Sequence, residues 1–276
     1  MLIFFFAVSG GQHGCIYCDS RSLCYHMDHA FEDIEVKANS IDLLEEALAR
    51  KRKKGIISTG SMSDPYMPLE KDLCDTRKAL TVIEKYGFGA SLITKSSLVE
   101  RDMDLLQKIN RKAKCVIQMI LTDYDEDLCR ILEPHVSTTF RRFQILMKLH
   151  EAGIPTVVWL CPILPFINDA RENLEGILTY CIRAHVKGII CFNMGMTLRE
   201  GDREYYYAKL DQYFPGLRAE YMHVYGNRYE VISMHNHSLM DYFKETCERN
   251  GIMHDPVQIF QYVSTSDRLY EQETLF

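Results

Sequence analysis

The chain carries little that would send it into or across a membrane. Its opening run MLIFFFAV has no basic residues ahead of it and is too short to span a bilayer. Reading it as a signal peptide ending near Ser9 would put ten cysteines in an oxidising compartment with no pairing pattern. A cytoplasmic location without membrane contact is expected instead. Positive charge is not in excess either: a net charge of -6 and a pI near 5.9 give no electrostatic ground for general nucleic-acid binding. The exception is the run Arg50 to Lys54, which is expected to close a helix just before Gly55, where cations complement the helix dipole. Linkers, repeats and low-complexity segments are missing, so residues 1–200 read as one catalytic barrel and 201–276 as an extension packed on it. A second Cys-x-x-Cys is also missing, which leaves a four-ligand zinc site without donors.

What is present is an ordinary globular composition, 47% apolar and 25% charged over 276 residues, enough for one β/α barrel. Most cysteines (Cys74, Cys115, Cys129, Cys161, Cys181, Cys191 and Cys247) are spread singly through predicted core elements, where a free thiol acts as a small hydrophobe. The stretch Gly10 to Tyr25, GGQHGCIYCDSRSLCY, is different. Cys15 and Cys18 stand three apart around Tyr17 in a glycine-containing loop, following an apolar stretch, Leu2 to Val8, that reads as a buried strand. Such a pair suits an iron–sulfur cluster, a thioredoxin-like redox pair or half of a zinc site.

Strand-like and helical patterns then alternate. Helices are expected from Asn39 or Ser40 to Lys54, Asp72 to Tyr86, Leu98 to Arg111, Asp125 to Leu132, Thr138 to Ala152 and Ala170 to Ala184. The strands between them are Ile56 to Thr59, Ala90 to Thr94, Cys115 to Leu121, Thr156 to Cys161 and Gly188 to Asn193. Beyond these come helices from Arg203 to Tyr213 and from Leu239 to Arg249, separated by a loop with Pro215 and Gly216. Six βα units in a row imply a parallel sheet with helices outside, curled into a full or partial barrel.

Three separate segments, QHGCIYCDSRS, TGSMSDPYMPLE and ITKSSLVERD, together resemble the radical S-adenosylmethionine (SAM) enzymes of the spore photoproduct lyase-like branch, and the likeness runs from about Gly11 to the C-terminus. The resemblance implies an α/β partial (β/α)6 TIM-like barrel with parallel strands and a C-terminal helical extension. It also implies a [4Fe–4S] cluster and SAM: three cysteines bind three irons, SAM binds the fourth, and reductive cleavage yields a 5′-deoxyadenosyl radical that abstracts hydrogen from a substrate. Carried onto this chain, Cys15 and Cys18 become cluster ligands and Tyr17 lies by the adenine. Ser61, Ser63 and Asp64 meet the methionyl end of SAM, Lys95 its carboxylate, and Thr122 with Asp123 its ribose. A reductant such as ferredoxin or flavodoxin is implied. The substrate is not, and nucleic acid enters by family analogy alone.

The sequence departs from the family at two places. Gly11 stands where the first of the three cysteines belongs, and Thr59-Gly60-Ser61 lacks the hydrogen-donating cysteine of spore photoproduct lyase, which argues against DNA photoproduct repair. Cys24 as a substitute ligand needs a different loop path. The unfamiliar first ten residues, taken with Gly11, fit a displaced start of the reading frame. The alternative function is a cluster-deficient barrel that binds or scaffolds without catalysis. Arg141 and Arg142 open a helix that can reach the site, Arg199, Glu200 and Arg203 fit a charged helix start, and His235 with His237 lack further metal ligands.

Overall fold

The computed structural model describes residues 2–5 and 7–265. A short strand β1 (Leu2–Phe4) opens the chain, followed by β2 (Val8–Ser9) and β3 (Glu35–Val36), which pair with each other antiparallel. Helix α1 (Ser40–Arg50) leads to β4 (Ile56–Thr59), and α2 (Glu70–Leu73) and α3 (Asp75–Lys85) lead to β5 (Gly89–Thr94). Then come α4 (Met103–Lys112), β6 (Cys115–Ile120), α5 (Glu126–Leu132), α6 (Thr139–Glu151), β7 (Thr156–Trp159), α7 (Arg171–Arg183) and β8 (Gly188–Ile190). The main sheet has the order β1-β4-β5-β6-β7-β8, and each neighbouring pair is parallel. Its two end strands do not pair with each other. This is the expected partial (β/α)6 barrel.

Parallel neighbours require crossovers, and here helices supply them, so the strands are covered on the helix side and read as continuous apolar runs. Alternate residues separate the two faces. Ala90, Leu92, Ile117, Met119, Val158 and Ile189 join the large core beneath the helices. Val116, Val157 and Ile190, one residue out of step with that set, meet Ile259 and Val263 of a helix near the end of the described chain. Between these layers Gln118 donates to the Ser91 hydroxyl at 2.7 Å and accepts from the Trp159 indole at 2.7 Å, satisfying polar groups inside the barrel.

After β8, the strand β9 (Gly195–Thr197) pairs antiparallel with β10 (Glu230–Ile232), and between them lie α8 (Asp202–Tyr213) and α9 (Leu217–Tyr225). The helices α10 (Asn236–Arg249) and α11 (Pro256–Ser264) follow, and α11 is the element packed against Val116, Val157 and Ile190.

Several boundaries differ from the sequence expectation. The apolar opening makes two strands, because Phe5 N donates to Ser58 O while Val8 turns to pair with Val36. Helix α1 stops at Arg50, since Lys51 is extended, so all of the basic run but Arg50 lies in the loop beyond the helix. The helix expected from Asp72 is divided at Cys74, which is in the left-handed region with φ 54. The helix expected from Leu98 begins as a 3-10 stretch over Ser97–Asp102. The sixth strand ends at Ile190 rather than Asn193. Helices α9 and α11 were not expected.

Candidate functional site

Two loops meet at the C-terminal ends of β1, β4 and β5. The cysteine loop is tied to its surroundings by backbone: Ile16 N donates to Leu132 O, and Ile16 and Tyr17 are buried against Leu132, Leu164 and Tyr206. The serine-rich loop after β4 is laced onto it. Ser63 donates to Gly10 O at 2.8 Å, Ser20 to Met62 O at 3.1 Å, and Leu69 N to the Gln12 amide oxygen at 3.2 Å. Gly60 makes the turn between strand and loop; its φ is +100, and a Cβ there would run into the Ile93 carbonyl. The cavity between the loops is bordered by Cys15, Cys18, Ser61, Ser63, Asp64 and Lys95. Residues read from three separate motifs therefore line one space.

The floor beside Cys15 is charged and buried. Lys95 Nζ stands 3.4 Å from Cys15 Sγ, 3.5 Å from Glu133 Oε1 and 4.8 Å from the centre of the Tyr17 ring. The Tyr17 hydroxyl donates to the same Glu133 carboxylate, and the Arg142 guanidinium pairs with its other oxygen. Arg142 is itself fully buried, and donates also to Ile120 O and Ser137 O at 2.7 Å each. Burial works to raise the Glu133 carboxyl, but Arg142 and Lys95 overcome it and hold the group at about 2. Burial likewise pushes the Cys15 thiol up to about 12, with Lys95 opposing that shift. Burial acts against the Lys95 charge too, yet Cys15, Tyr17 and Glu133 keep the lysine protonated well above its ordinary value.

The side of the loop at Gly11 is built differently. Gly11 N donates to Phe31 O at 2.9 Å, and a Cβ at position 11 would lie 2.7 Å from two atoms of the Phe31 ring. The space of a first ligand's side chain is therefore filled by an aromatic ring. Of the three thiols in the family pattern, two border the cavity. Cys24 is exposed on the far side, where Arg199 donates to its sulfur at 3.1 Å.

Asp64 is fully engaged: it accepts from Tyr66 N at 2.8 Å, Thr94 Oγ1 at 2.7 Å and Lys95 N at 2.7 Å, and lies 2.9 Å from His13 Nε2. A carboxylate so occupied fixes the loop and the start of the Lys95 segment. Thr122 is buried after β6, and its carbonyl accepts from Asn168 at 2.9 Å and Asn173 at 3.1 Å. Neighbouring Asp123 is pushed up to about 7 by burial. Arg141 pairs with Glu100 away from the site, whereas Arg142 reaches the site through Glu133. Arg199 donates to the Tyr229 hydroxyl, Arg203 binds the carbonyls of Leu198 and Arg228, and Glu200 O accepts from Leu23 N. His237 is exposed beside Asp241. The sequence reading missed Glu133, Phe31 and His13. Glu133 and Phe31 lie outside every motif, and His13 stood inside one, beside Cys15.

These features define a class: an α/β barrel with a cysteine-lined cavity at the strand C-terminal ends. Residues 8–177 match the Radical SAM superfamily, and the chain belongs to it. Members of that superfamily use a [4Fe–4S] cluster and SAM. An uncharacterized protein of Methanocaldococcus jannaschii is 34% identical over 164 residues, 59% of this chain and 60% of its own length. An uncharacterized protein of Mycobacterium tuberculosis is 25% identical over 222 residues, 78% of this chain and 65% of its own. The chain thus spans under two thirds of the length of these curated relatives. Among solved structures, a spore photoproduct lyase mutant with dinucleoside spore photoproduct superposes with a TM-score of 0.65 at 15% identity, covering 92% of this chain and 81% of that one. Another lyase mutant, with bound AdoMet and the same dinucleoside, gives 0.64 at 13% identity, covering 92% and 75%. At such identities the likeness is one of fold. Among the described residues no helix is long and apolar enough to cross a membrane.

Proposed function

We propose that the chain is a radical SAM enzyme that holds a [4Fe–4S] cluster and SAM in the cavity between the cysteine loop and the Ser61–Asp64 loop. The supporting observation is the convergence of Cys15, Cys18, Ser61, Ser63 and Lys95 on that one cavity. When bound, the cluster supplies the electron that splits the SAM sulfonium bond into methionine and a 5′-deoxyadenosyl radical able to take hydrogen from a substrate. The residues around it have separate tasks. Cys15 and Cys18 would hold iron as thiolates, their protons released to solvent on binding. Lys95 brings a buried positive charge beside Cys15, offsetting the anionic sulfur and matching a carboxylate of SAM. Ser61 offers a hydroxyl to the methionyl end, and Ser63 holds the loop through Gly10. Tyr17 gives a flat ring next to Lys95, suited to the adenine, and Thr122 is assigned as a ribose contact. Asp64, Glu133 and Arg142 position these groups without needing to touch the cofactor. The electron comes from a reductant such as ferredoxin or flavodoxin, and the substrate stays unassigned.

One observation favours a second reading. Phe31 packs against Gly11 where the first thiol belongs, as in a barrel that binds its ligand without a cluster. Anaerobic reconstitution followed by incubation with SAM and dithionite separates the two. The enzyme reading expects 5′-deoxyadenosine from wild type and none from Cys15→Ala. A wild-type chain that takes up no iron and makes none hands the lead to the binding protein.

A further inference from the structure

Position 11 gives no ligand, yet a histidine bordering the cavity has ring nitrogens that no hydrogen bond among the described residues uses. His13 lies two residues before Cys15, borders the same cavity and has a side chain only 12% exposed. Both ring nitrogens are buried without a hydrogen bond among the described residues, but Nε2 lies against a carboxylate, 2.9 Å from Asp64 Oδ2, while Nδ1 has no polar neighbour of that kind. A buried polar atom left unpaired costs about 1–3 kcal/mol, so such sites call for an explanation. Histidines that ligate metals have this pattern: one nitrogen is directed onto a carboxylate, which fixes the tautomer, and the other is left bare for the metal. Asp64 is in turn anchored by Tyr66 N, Thr94 and Lys95 N, so the imidazole is oriented by a fixed group.

Apart from Ser61, assigned above to SAM, the competing side-chain oxygens of Gln12, Ser63 and Asp64 are already in use. The Gln12 carbonyl accepts from Leu69 N, the Ser63 hydroxyl donates to Gly10, and the Asp64 oxygens are taken. Cys24 lies outside, against Arg199. Imidazole, by contrast, is an established iron ligand in iron–sulfur proteins, where it replaces thiolate and raises the potential.

We infer that His13, through Nδ1, is the third protein ligand of the cluster beside Cys15 and Cys18, replacing the thiol that position 11 lacks. This rests on the cluster reading above. The bond is a lone-pair donation from Nδ1 to iron; the Nε2 proton stays toward Asp64, and no electron is transferred in forming it. One negative charge fewer than a three-thiolate site is the consequence.

The test uses the full chain carrying 15N-histidine, reconstituted anaerobically with iron and sulfide, for wild type, His13→Ala, His13→Cys and the double change Gly11→Cys with Phe31→Ala. Iron per chain is counted, and electron–nuclear double resonance is recorded on the reduced samples. The expected result is about four irons in wild type with a directly bound 15N coupling. His13→Ala should lose most of the iron, and His13→Cys should keep the iron while losing the coupling. Far-UV circular dichroism monitors folding. If His13→Ala does not fold, the loss of coupling with retained iron in His13→Cys decides alone. Full iron without nitrogen coupling in wild type overturns the ligand assignment and leaves the cluster reading standing. Iron absent from wild type but present in the double change overturns the assignment and the cluster reading of the natural chain together, and leaves the binding protein in the lead. Iron absent from all four overturns the cluster reading itself, and the assignment with it.

Discussion

The two ends of the cysteine loop are held in opposite ways. Around Cys15 the protein has built a buried charge network, with Glu133 fixed between Arg142, Lys95 and the Tyr17 hydroxyl. Around Gly11 it uses apolar packing and backbone, with the Phe31 ring against the glycine and its carbonyl on Gly11 N. The first end costs desolvation and is repaid only by complete pairing, so its geometry is set before any ligand arrives. The second end is shaped by ring packing and one backbone hydrogen bond, and beside it neither ring nitrogen of His13 makes a hydrogen bond among the described residues, Nε2 only lying against Asp64. A site of this kind is preorganised on one side and waiting for its ligand on the other.

The strongest way to break this contrast is to cut the charged end. Glu133→Ala strands the buried Arg142 guanidinium, and about 3–5 kcal/mol of stability should be lost in urea unfolding. Replacing both Glu133 and Arg142 by apolar residues of similar volume should recover most of that loss. A single change costing under about 1 kcal/mol would mean that water reaches the pair.

A second test compares two acids within the charged end. Glu133 has cations on it, whereas burial leaves Asp123 pushed up to about 7. The folded chain therefore keeps a proton on Asp123 over a range where the unfolded chain has released it. Stability from this group is full at acid pH and falls as pH rises from about 4 to about 7. Asp123→Asn should flatten that part of the stability profile, and an unchanged slope would show that Asp123 is ionised at its ordinary value.

The apolar end is probed by Gly11→Ala, which forces the Phe31 ring to move and should cost about 1–3 kcal/mol. In a Phe31→Ala background the same change should be nearly free, so a double-mutant cycle reads the contact directly. Additive losses would show that the ring yields without strain. The smallest effect is expected outside both ends. Cys24→Ala should change stability by less than about 0.5 kcal/mol and leave iron content untouched, and a loss of iron would bring Cys24 back as a ligand.

The sequence made legible the parts of this molecule whose determinants are local. Six βα units follow from apolar runs broken by turns, and Cys15, Cys18, Ser61 and Lys95 sit in motifs at strand ends, where chemistry is expected. The charge network was not legible. Tyr17 and Glu133 are 116 positions apart, and nothing in ILEPHV marks the glutamate as the partner of a buried arginine. Helix α9 was hidden because its buried residues, Tyr221 and Tyr225, are tyrosines that satisfy their hydroxyls on Pro165 O and Ile232 O, so no aliphatic stripe announces them. The basic run after Arg50 looked like a helix end and is a loop, since local propensity alone did not set where α1 stops. Asp64 shows the same limit: its residue type suits an ammonium ligand, but tertiary contacts take up its oxygens.

The most direct measurement is iron per chain after anaerobic reconstitution of wild type, Cys15→Ala and Cys18→Ala. The account predicts about four irons in wild type and a near-complete loss in each variant, because both thiols border the one cavity assigned to the cluster. Iron retained in full by both variants would place any cluster elsewhere and contradict the account.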